Sequence, residues 1–327
     1  MANSKVYEVI TDKVATRIKN AIDNGTSFQW VKPWKGYPLG NYTNYLKDGV
    51  DGLKEYRGIN RLLLDGGLYI TMKQLNELAE KDDKKYKIKK GCHRECVYFY
   101  KKREVDKKDE NGNVILDENG EPIKQRFMII RFYPVFNVAD IEGLDEVVIE
   151  GIDTEYDETK LSKKADKIVT AYCKRSGVTL QKKKGIDKAY HNAGTHTVVV
   201  PDKKQFNSLE EYYSTLFHEL THSTQDACGR ITDHKKGSKK YSFEELVAEL
   251  GALFLMQEIG FDTSKTEINS TAYLKGWLKV LESDVSFIVK ASTQAQKALD
   301  YILDVKYEND EDTTEVEIEI DDEFDVA

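Results

Sequence analysis

The stretch Leu216-Phe-His-Glu-Leu-Thr-His-Ser-Thr-Gln225 decides the fold of the second half of this 327-residue chain. It contains a His-Glu-x-x-His pattern, in which His218 and His222 lie four residues apart. On a helix, side chains at i and i+4 lie on the same face, so both imidazoles can bind one ion. Glu219 follows His218 by about 100° of rotation, which places its carboxylate beside the ion rather than on it. The pattern therefore predicts a zinc site with a water that Glu219 can deprotonate.

The surrounding sequence places this pattern inside a buried helix. Ser208 and Glu211 form a capping box, which predicts that the helix begins directly after Ser208. Leu216, Phe217 and Leu220 make the helix largely apolar around the two histidines, as expected for a buried metal-binding helix. The competing interpretation is a pair of helix histidines that only make hydrogen bonds. The helical context favours the metal site, with one zinc ion per chain.

A second helix, predicted from about residue 242 to residue 259, supplies the third ligand. It carries Glu245 and Glu249 four residues apart. With this spacing one carboxylate can bind the metal while the other orients a histidine. We favour Glu245 as the ligand and Glu249 as the orienting residue. The alternative is that Ser242 and Glu245 form a capping box, in which case Glu245 satisfies the N-cap amide and Glu249 is the ligand.

Charge is distributed unevenly along the chain. The net charge is −8, but residues 307–327 hold eleven acidic side chains and no basic one, so the rest of the chain carries +3. Residues 1–135 contain 26 Lys and Arg against 19 Asp and Glu. The basic front half indicates a polyanionic partner, and the alternative is that its scattered lysines are ordinary solvated surface. The acidic tail, residues 306–327, is expected to be disordered because like charges and low hydrophobicity oppose collapse.

The composition also disfavours a membrane or secreted protein. No apolar run approaches the length of a membrane helix, and the first residues lack the apolar core of a signal peptide. The four cysteines show no disulfide framework. We therefore expect a cytoplasmic protein with no membrane partner.

Aromatic and basic residues are interleaved in the segment Phe28-Gln-Trp-Val-Lys-Pro-Trp-Lys35. Trp30 and Trp34 can stack on unpaired bases while Lys32 and Lys35 contact phosphates, which is typical of proteins that bind single strands. The two tryptophans can equally anchor this loop to the core, because tryptophan is usually mostly buried. The sequence favours neither interpretation over the other.

Two Asn-Gly pairs, Asn111-Gly112 and Asn119-Gly120, separate the segments 96–103 and 125–133. Asn-Gly is typical of tight hairpin turns. We therefore expect these two segments to pair as strands, with a small hairpin excursion between them.

The order of the predicted elements indicates an α+β protein of two domains. Residues 1–140 are expected to form a small α+β domain. A linker is expected at residues 141–159. Residues 160–305 are then expected to form a second domain around the predicted zinc site, ahead of the acidic tail.

Nine short motifs in both halves occur in a characteristic order. In the front half they are Tyr7–Thr11 (YEVIT), Trp30–Trp34 (WVKPW), Tyr56–Asn60 (YRGIN), Thr71–Gln74 (TMKQ), Lys90–Gly91 (KG) and Val135–Val138 (VFNV). In the back half they are Tyr212–His222 (YYSTLFHELTH), Glu244–Leu250 (EELVAEL) and Tyr273–Leu278 (YLKGWL). In this order and spacing they resemble the ArdC-type antirestriction proteins of plasmids and phages, over nearly the whole chain up to about residue 305.

The resemblance implies a function for each half. It implies an N-terminal domain that binds single-stranded DNA (residues 1–140), a C-terminal zincin-like metallopeptidase domain of the gluzincin type (residues 160–305), and protection of incoming DNA from host restriction. It also implies that Glu219 is the general base and that the metal ligands are His218, His222 and Glu245.

Two further residues lie in motifs that carry the resemblance. Arg57 and Lys73 therefore join the candidate DNA-binding residues. We expect an antirestriction protein of a mobile element or phage that acts in the bacterial cytoplasm. It would hydrolyse a peptide bond in an unidentified protein, for example a host restriction or DNA-defence component. The alternative is a non-catalytic DNA-binding shield in which the zinc site is only structural.

Overall fold

The computed structural model describes residues 2–23, 41–43, 54–64, 67–144, 157–230, 238–263, 266, 277–279, 281–282 and 284–305. Four of the candidate DNA-binding residues lie outside this part of the chain, as does the predicted acidic tail: Trp30, Lys32, Trp34 and Lys35. The described residues combine helices and strands, which confirms the α+β class. None of the helices in these ranges is apolar over a length that could span a bilayer.

The described helices and strands have the following bounds. The helices are α1 (Ala2–Asp23), α2 (Asn60–Leu63), α3 (Met72–Asp82), α4 (Glu158–Ser176), α5 (Leu209–His222), α6 (Lys239–Ile259) and α7 (Phe287–Leu303). The strands are β1 (Asn41–Thr43), β2 (Lys54–Glu55), β3 (Gly67–Ile70), β4 (Lys87–Ile88), β5 (Glu95–Asp106), β6 (Lys124–Asn137), β7 (Ile141–Glu142), β8 (Thr179–Lys183), β9 (Tyr190–Asn192) and β10 (Thr197–Pro201).

The front half contains a five-stranded sheet in the order β2-β1-β3-β6-β5. Strands β5 and β6 pair antiparallel along their whole length, with Val97 opposite Tyr133, and they extend beyond the two segments predicted to pair. Between them, Asp109 and Asp117 each accept backbone N–H groups from the residues two and four positions later. The two Asn-Gly pairs therefore lie in a double turn at the end of the ribbon, as predicted.

The segment predicted to be a linker is partly structured. Strand β7 pairs antiparallel with β4, and Ile88 lies opposite Ile141. Leu144 is buried in the same small apolar cluster as Leu68 and Leu75. At the far end of the segment, Asp157 caps α4 by accepting the N–H groups of the first turn. The domain boundaries themselves stay predictions.

The back half is built on a three-stranded sheet and the helices that cover it. Strand β10 lies in the centre, parallel to β8 and antiparallel to β9. All five residues of β10 are buried, as expected for a strand covered on both faces. Helix α1 belongs to this core as well, because Ile10, Val14 and Ile18 join the apolar cluster formed by α4 to α7. The main core therefore contains residues from both halves.

Helices α5 and α6 carry the residues of the predicted metal site. Ser208 caps α5 and accepts the N–H of Glu211, as predicted. Helix α6, however, begins at Lys239, and its N-cap is Ser238 rather than Ser242. The expected helix start was therefore wrong by about one turn. Because Glu245 lies well inside the helix, it does not serve as the partner of an N-cap amide, and its carboxylate is available to the metal site.

A glycine brings the two helices together. Gly251 of α6 lies so close to Thr221 of α5 that a Cβ at Gly251 would be 2.5 Å from both Cγ2 and Oγ1 of Thr221. Thr221 is fully buried, and its hydroxyl donates to the carbonyl of Phe217. The buried and hydrogen-bonded side chain of Thr221 has no space to move aside, so the separation of α5 and α6 depends on the absence of a side chain at Gly251.

The substitution Gly251→Ala tests this dependence. We expect it to lower the free energy of unfolding by about 1–3 kcal/mol, because overpacking a tight core forces the backbone to shift. Chemical denaturation of the purified protein measures the change. Thr221→Ala in the same background removes both clashing atoms and should restore part of the loss, so equal destabilisation of the single and double variants would contradict the packing argument.

Candidate metal centre

Three side chains from α5 and α6 converge on one point. The Nε2 atoms of His218 and His222 lie 3.1 Å apart. The carboxylate of Glu245 lies 3.9 Å from Nε2 of His218 and 3.6 Å from Nε2 of His222. In the part of the chain that the structure describes, these three residues are the one group arranged to hold a metal ion.

The outer nitrogen of each imidazole faces a carboxylate. Nδ1 of His222 lies 3.1 Å from Oε1 of Glu244, and Nδ1 of His218 lies 3.4 Å from Oε1 of Glu249. A carboxylate accepts a hydrogen bond from the ring, so each Nδ1 carries a hydrogen and each Nε2 is left to bind a proton or a metal ion. Two Nε2 lone pairs directed at one point repel each other unless a proton or a metal ion lies between them.

The donor set and its spacing fit such a cation. Two imidazole nitrogens and one carboxylate oxygen form the protein ligands of many catalytic zinc sites. Ligand atoms bound tetrahedrally at about 2.0–2.1 Å from zinc lie about 3.3 Å from one another. The two nitrogens lie 3.1 Å apart, and the distances of 3.6 and 3.9 Å to Glu245, which end on different oxygens of its carboxylate, are slightly longer than this value. The residues therefore fit a divalent metal without a large movement of either helix.

The structure separates the two candidates for the third ligand by position. Glu245 faces both Nε2 atoms, whereas Glu249 lies one turn further along α6 at the outer nitrogen of His218. The arrangement agrees with the preferred interpretation, in which Glu245 binds the metal and Glu249 orients His218. The ligand assignment itself stays a prediction, which the metal content of variants tests.

Glu219 lies beside this group rather than within it. Its side chain is buried, and burial raises the pKa of its carboxyl, although the imidazoles of His218 and His222 act in the opposite direction. The backbone N–H of His191 in β9 donates to the same carboxylate. A buried carboxylate with a raised pKa next to a metal site is suited to take a proton from water.

The carboxylates also affect the imidazole of His218. Burial alone would lower the pKa of His218, but the nearby carboxylates of Glu249 and Glu219 outweigh this effect and raise it to about 9. In the metal-free protein the imidazole is therefore protonated at neutral pH. Metal binding must displace that proton.

A buried arginine supports the outer side of the site. Arg230 makes two hydrogen bonds to Glu244, Nε to Oε2 at 2.9 Å and Nη2 to Oε1 at 3.0 Å. The same guanidinium donates to the carbonyl of Thr221 at 2.8 Å and to the hydroxyl of Thr224 at 3.0 Å. Arg230 thereby holds the carboxylate that faces His222.

This carboxylate is ionised in spite of its burial. Burial would raise the pKa of Glu244, but the hydrogen bonds from His222 and Arg230 lower it to about 2. Sequence analysis assigned no role to Glu244 or Arg230. The direct neighbour of Glu245 could have been suspected as a second carboxylate, whereas no pattern around Arg230 points to it.

Two candidate DNA-binding residues lie in the described part of the chain. Lys73 is highly exposed on α3, 3.7 Å from Glu77 one turn away. Arg57 is about one-third exposed, and its guanidinium pairs with Asp300 of α7. The positive charge of Arg57 is thus partly compensated by Asp300, in a contact that joins the two halves of the protein. Their contact with DNA stays a prediction.

Metal content distinguishes the ligand from the orienting residue. We expect near one ion per chain in the wild type, loss of the ion in Glu245→Ala, and retention in Glu219→Ala. Glu249→Ala should retain the ion with about 10- to 100-fold lower affinity, because it acts through His218. Mass spectrometry and a chelator competition measure these values. Loss of the ion in Glu249→Ala but not in Glu245→Ala would reverse the assignment.

The role of Arg230 is tested in the same way. We expect Arg230→Ala to weaken metal binding by about 10- to 100-fold, because Glu244 loses the partner that orients it toward His222. Arg230→Lys keeps the charge but not the two-point contact, so its affinity should be intermediate. The unfolding temperature of each variant, measured without metal, separates loss of affinity from loss of fold. Wild-type affinity in Arg230→Ala would show that Glu244 needs no support.

Comparison with known proteins gives one family match in each half of the chain. Residues 4–136 match the N-terminal domain of the anti-restriction factor ArdC, and residues 165–294 match a family described as zincin-like metallopeptidase. The metal-site residues on α5 and α6 lie within the second match.

Two solved structures are similar to the chain over most of its length. They are crystal structures of the antirestriction protein ArdC from plasmid R388, one metal-free and one bound to Mn(II). The metal-free structure is 28% identical with a TM-score of 0.59, and the similarity covers 90% of this chain and 96% of that one. The Mn(II)-bound structure is 27% identical with a TM-score of 0.57, and the similarity covers 91% of this chain and 97% of that one.

Two curated relatives are much longer proteins. Both are named DNA primase TraC, from Escherichia coli. One is 30% identical over 309 residues and the other 28% identical over 330 residues. The chain spans 20% and 29% of their lengths, respectively.

The two family matches occur in the predicted order, and the similarity to a solved ArdC extends over both. The predicted resemblance and the predicted zincin-like domain are therefore confirmed. The chain has an ArdC N-terminal domain followed by a zincin-like metallopeptidase domain, and it is similar over nearly its whole length to the antirestriction protein ArdC.

Proposed function

We propose that this protein binds single-stranded DNA, protects the DNA of a mobile element from host restriction, and hydrolyses a peptide bond at its metal centre. The observation that carries the peptidase proposal is the convergence of His218, His222 and Glu245, with Glu219 buried beside them. The DNA-binding proposal is supported by the ArdC N-terminal match and by the excess of basic residues in the front half.

We propose zinc as the metal, one ion per chain. A site with two imidazoles and one carboxylate suits zinc. The similar structure of ArdC from plasmid R388 is bound to Mn(II), so manganese is the alternative divalent ion for this centre. A zinc ion held by His218, His222 and Glu245 would polarise a peptide carbonyl and lower the pKa of a bound water.

The chain's own residues then move the protons. Glu219 takes a proton from the attacking water as the new carbon–oxygen bond forms. The same proton goes to the leaving amine when the carbon–nitrogen bond breaks, which regenerates the carboxylate. The N–H of His191 holds Glu219 in place during these steps, because it donates to the carboxylate from strand β9. Glu244 and Glu249 hold the two imidazoles from behind.

The protein substrate is proposed to be a component of host restriction or DNA defence. Cleavage of such a component would protect DNA without covering it. The names of the TraC relatives link them to DNA, which is consistent with a DNA-bound setting for the chain. If the metal were only structural, protection would depend on DNA binding alone, and Glu219 would have no part in it.

The variant Glu219→Gln separates these two outcomes. We expect it to retain the metal but to lose both peptide hydrolysis and protection, because Gln cannot accept the proton. Protection is measured as the transfer efficiency of an unmodified plasmid into a restricting host, relative to a host without restriction. Glu158→Gln, an exposed carboxylate at the start of α4, is the matched control. Full protection by Glu219→Gln would favour the non-catalytic shield.

A further inference from the structure

The ribbon of β5 and β6 has two faces of different composition. In an antiparallel pair, directly opposed residues share a face and successive residues alternate between faces. Phe99 lies opposite Arg131, and Tyr133 lies opposite Val97. Arg103 lies four residues after Phe99 and therefore on the same face. We call the surface formed by Phe99, Arg103, Arg131 and Tyr133 the arginine–aromatic face.

The aromatic rings on this face are largely exposed. Phe99 is 44% exposed and Tyr133 is 43% exposed. Their rings lie edge to face, with centroids 5.8 Å apart. Single exposed apolar side chains are ordinary, but two adjacent rings opposite an exposed arginine form a defined patch. The patch offers ring surface to a flat ligand.

The two charged residues of the arginine–aromatic face are both basic. Glu95, nearer the core on the same side of the ribbon, is paired with Lys13 of α1. Arg103 and Arg131 are both exposed. In the paired segments 97–105 and 125–133, Glu104 is the one acidic residue among the described side chains. It lies on the opposite face of the ribbon. Asp106, further along that other face, is engaged with Lys124 at 2.6 Å. A positive face with accessible rings is complementary to a polyanion with flat bases.

The root of the face is rigid. Val97 and Val135 lie on the same side of the ribbon and are fully buried, in a cluster with Tyr56, Leu64 and Tyr69. The exposed rings therefore continue directly from a packed core. Binding to a preorganised platform costs less conformational entropy than binding to a mobile loop.

We propose that the arginine–aromatic face is a binding surface for single-stranded DNA. Bases stack on Phe99 and Tyr133, while Arg131 and Arg103 contact phosphates. Phe99 and Arg103 are about 13 Å apart along the strand, so the contacts extend beyond one nucleotide. This inference rests on the proposed function, because it assigns residues to the single-strand binding proposed there. A protein partner is the competing occupant, but the uniform positive charge beside the rings favours nucleic acid.

Fluorescence anisotropy with a labelled DNA strand of mixed sequence tests the proposal on the full-length protein. We expect Phe99→Ala and Tyr133→Ala each to weaken binding by roughly 5- to 150-fold, which is the range for loss of one stacked base. Arg131→Ala should reduce the slope of log affinity against log salt by about 0.7, because one phosphate contact is lost.

Phe132→Ala is the matched control. Phe132 is more exposed than either ring, at 59%, but lies on the opposite face, across from Tyr98. The Phe132→Ala variant should therefore bind DNA with the affinity of the wild type. The unfolding temperature of every variant checks that the fold is intact, as expected for exposed positions.

The outcomes separate this inference from the proposed function. A wild-type protein that does not bind the strand contradicts single-strand binding as a whole. A wild type that binds, with unchanged affinity in Phe99→Ala and Tyr133→Ala, overturns only the assignment of this face. An equal loss in Phe132→Ala also overturns it, because stacking would then not depend on the face.

Discussion

The close contact between α5 and α6 is the constraint on which the metal centre depends. Gly251 has no side chain, so the two helices approach until α6 touches Thr221. At this separation the carboxylate of Glu245 lies 3.6–3.9 Å from the two imidazoles that α5 presents. A wider spacing would move Glu245 out of reach of a shared ion, since ligands must lie about 2 Å from zinc.

Electrostatics reinforce the same contact. The site contains several buried carboxylates, and burying an unpaired charge is costly. Arg230 compensates Glu244, and the imidazoles lie among the remaining carboxylates. Removal of one member of such a network leaves another charge without a partner, which is why buried pairs act as a unit. The histidines are thus held by groups that a metal ion does not replace.

The motif Tyr56–Asn60 shows how a family motif can serve the fold instead of a ligand. The N–H of Gly58 donates to Gln296 of α7 at 2.9 Å, and Gly58 has a φ of 54°, a conformation that favours glycine. Asn60 makes two hydrogen bonds of 2.8 Å to the backbone of Tyr98 in β5. The motif therefore joins the ribbon that carries the arginine–aromatic face to the helices of the back half.

The sequence by itself determined those features that depend on the periodicity and the capping of a single helix. The helical period placed His218 and His222 on one face, and Ser208 marked where their helix begins. Tertiary structure decided what depends on the packing of two elements. The choice between Glu245 and Glu249 required the true start and rotation of α6, because each residue turns the helix by about 100°. Arg230 lies in a loop after α5, where the sequence has no helical or strand periodicity. Its contact with Glu244 therefore became visible only in the tertiary structure.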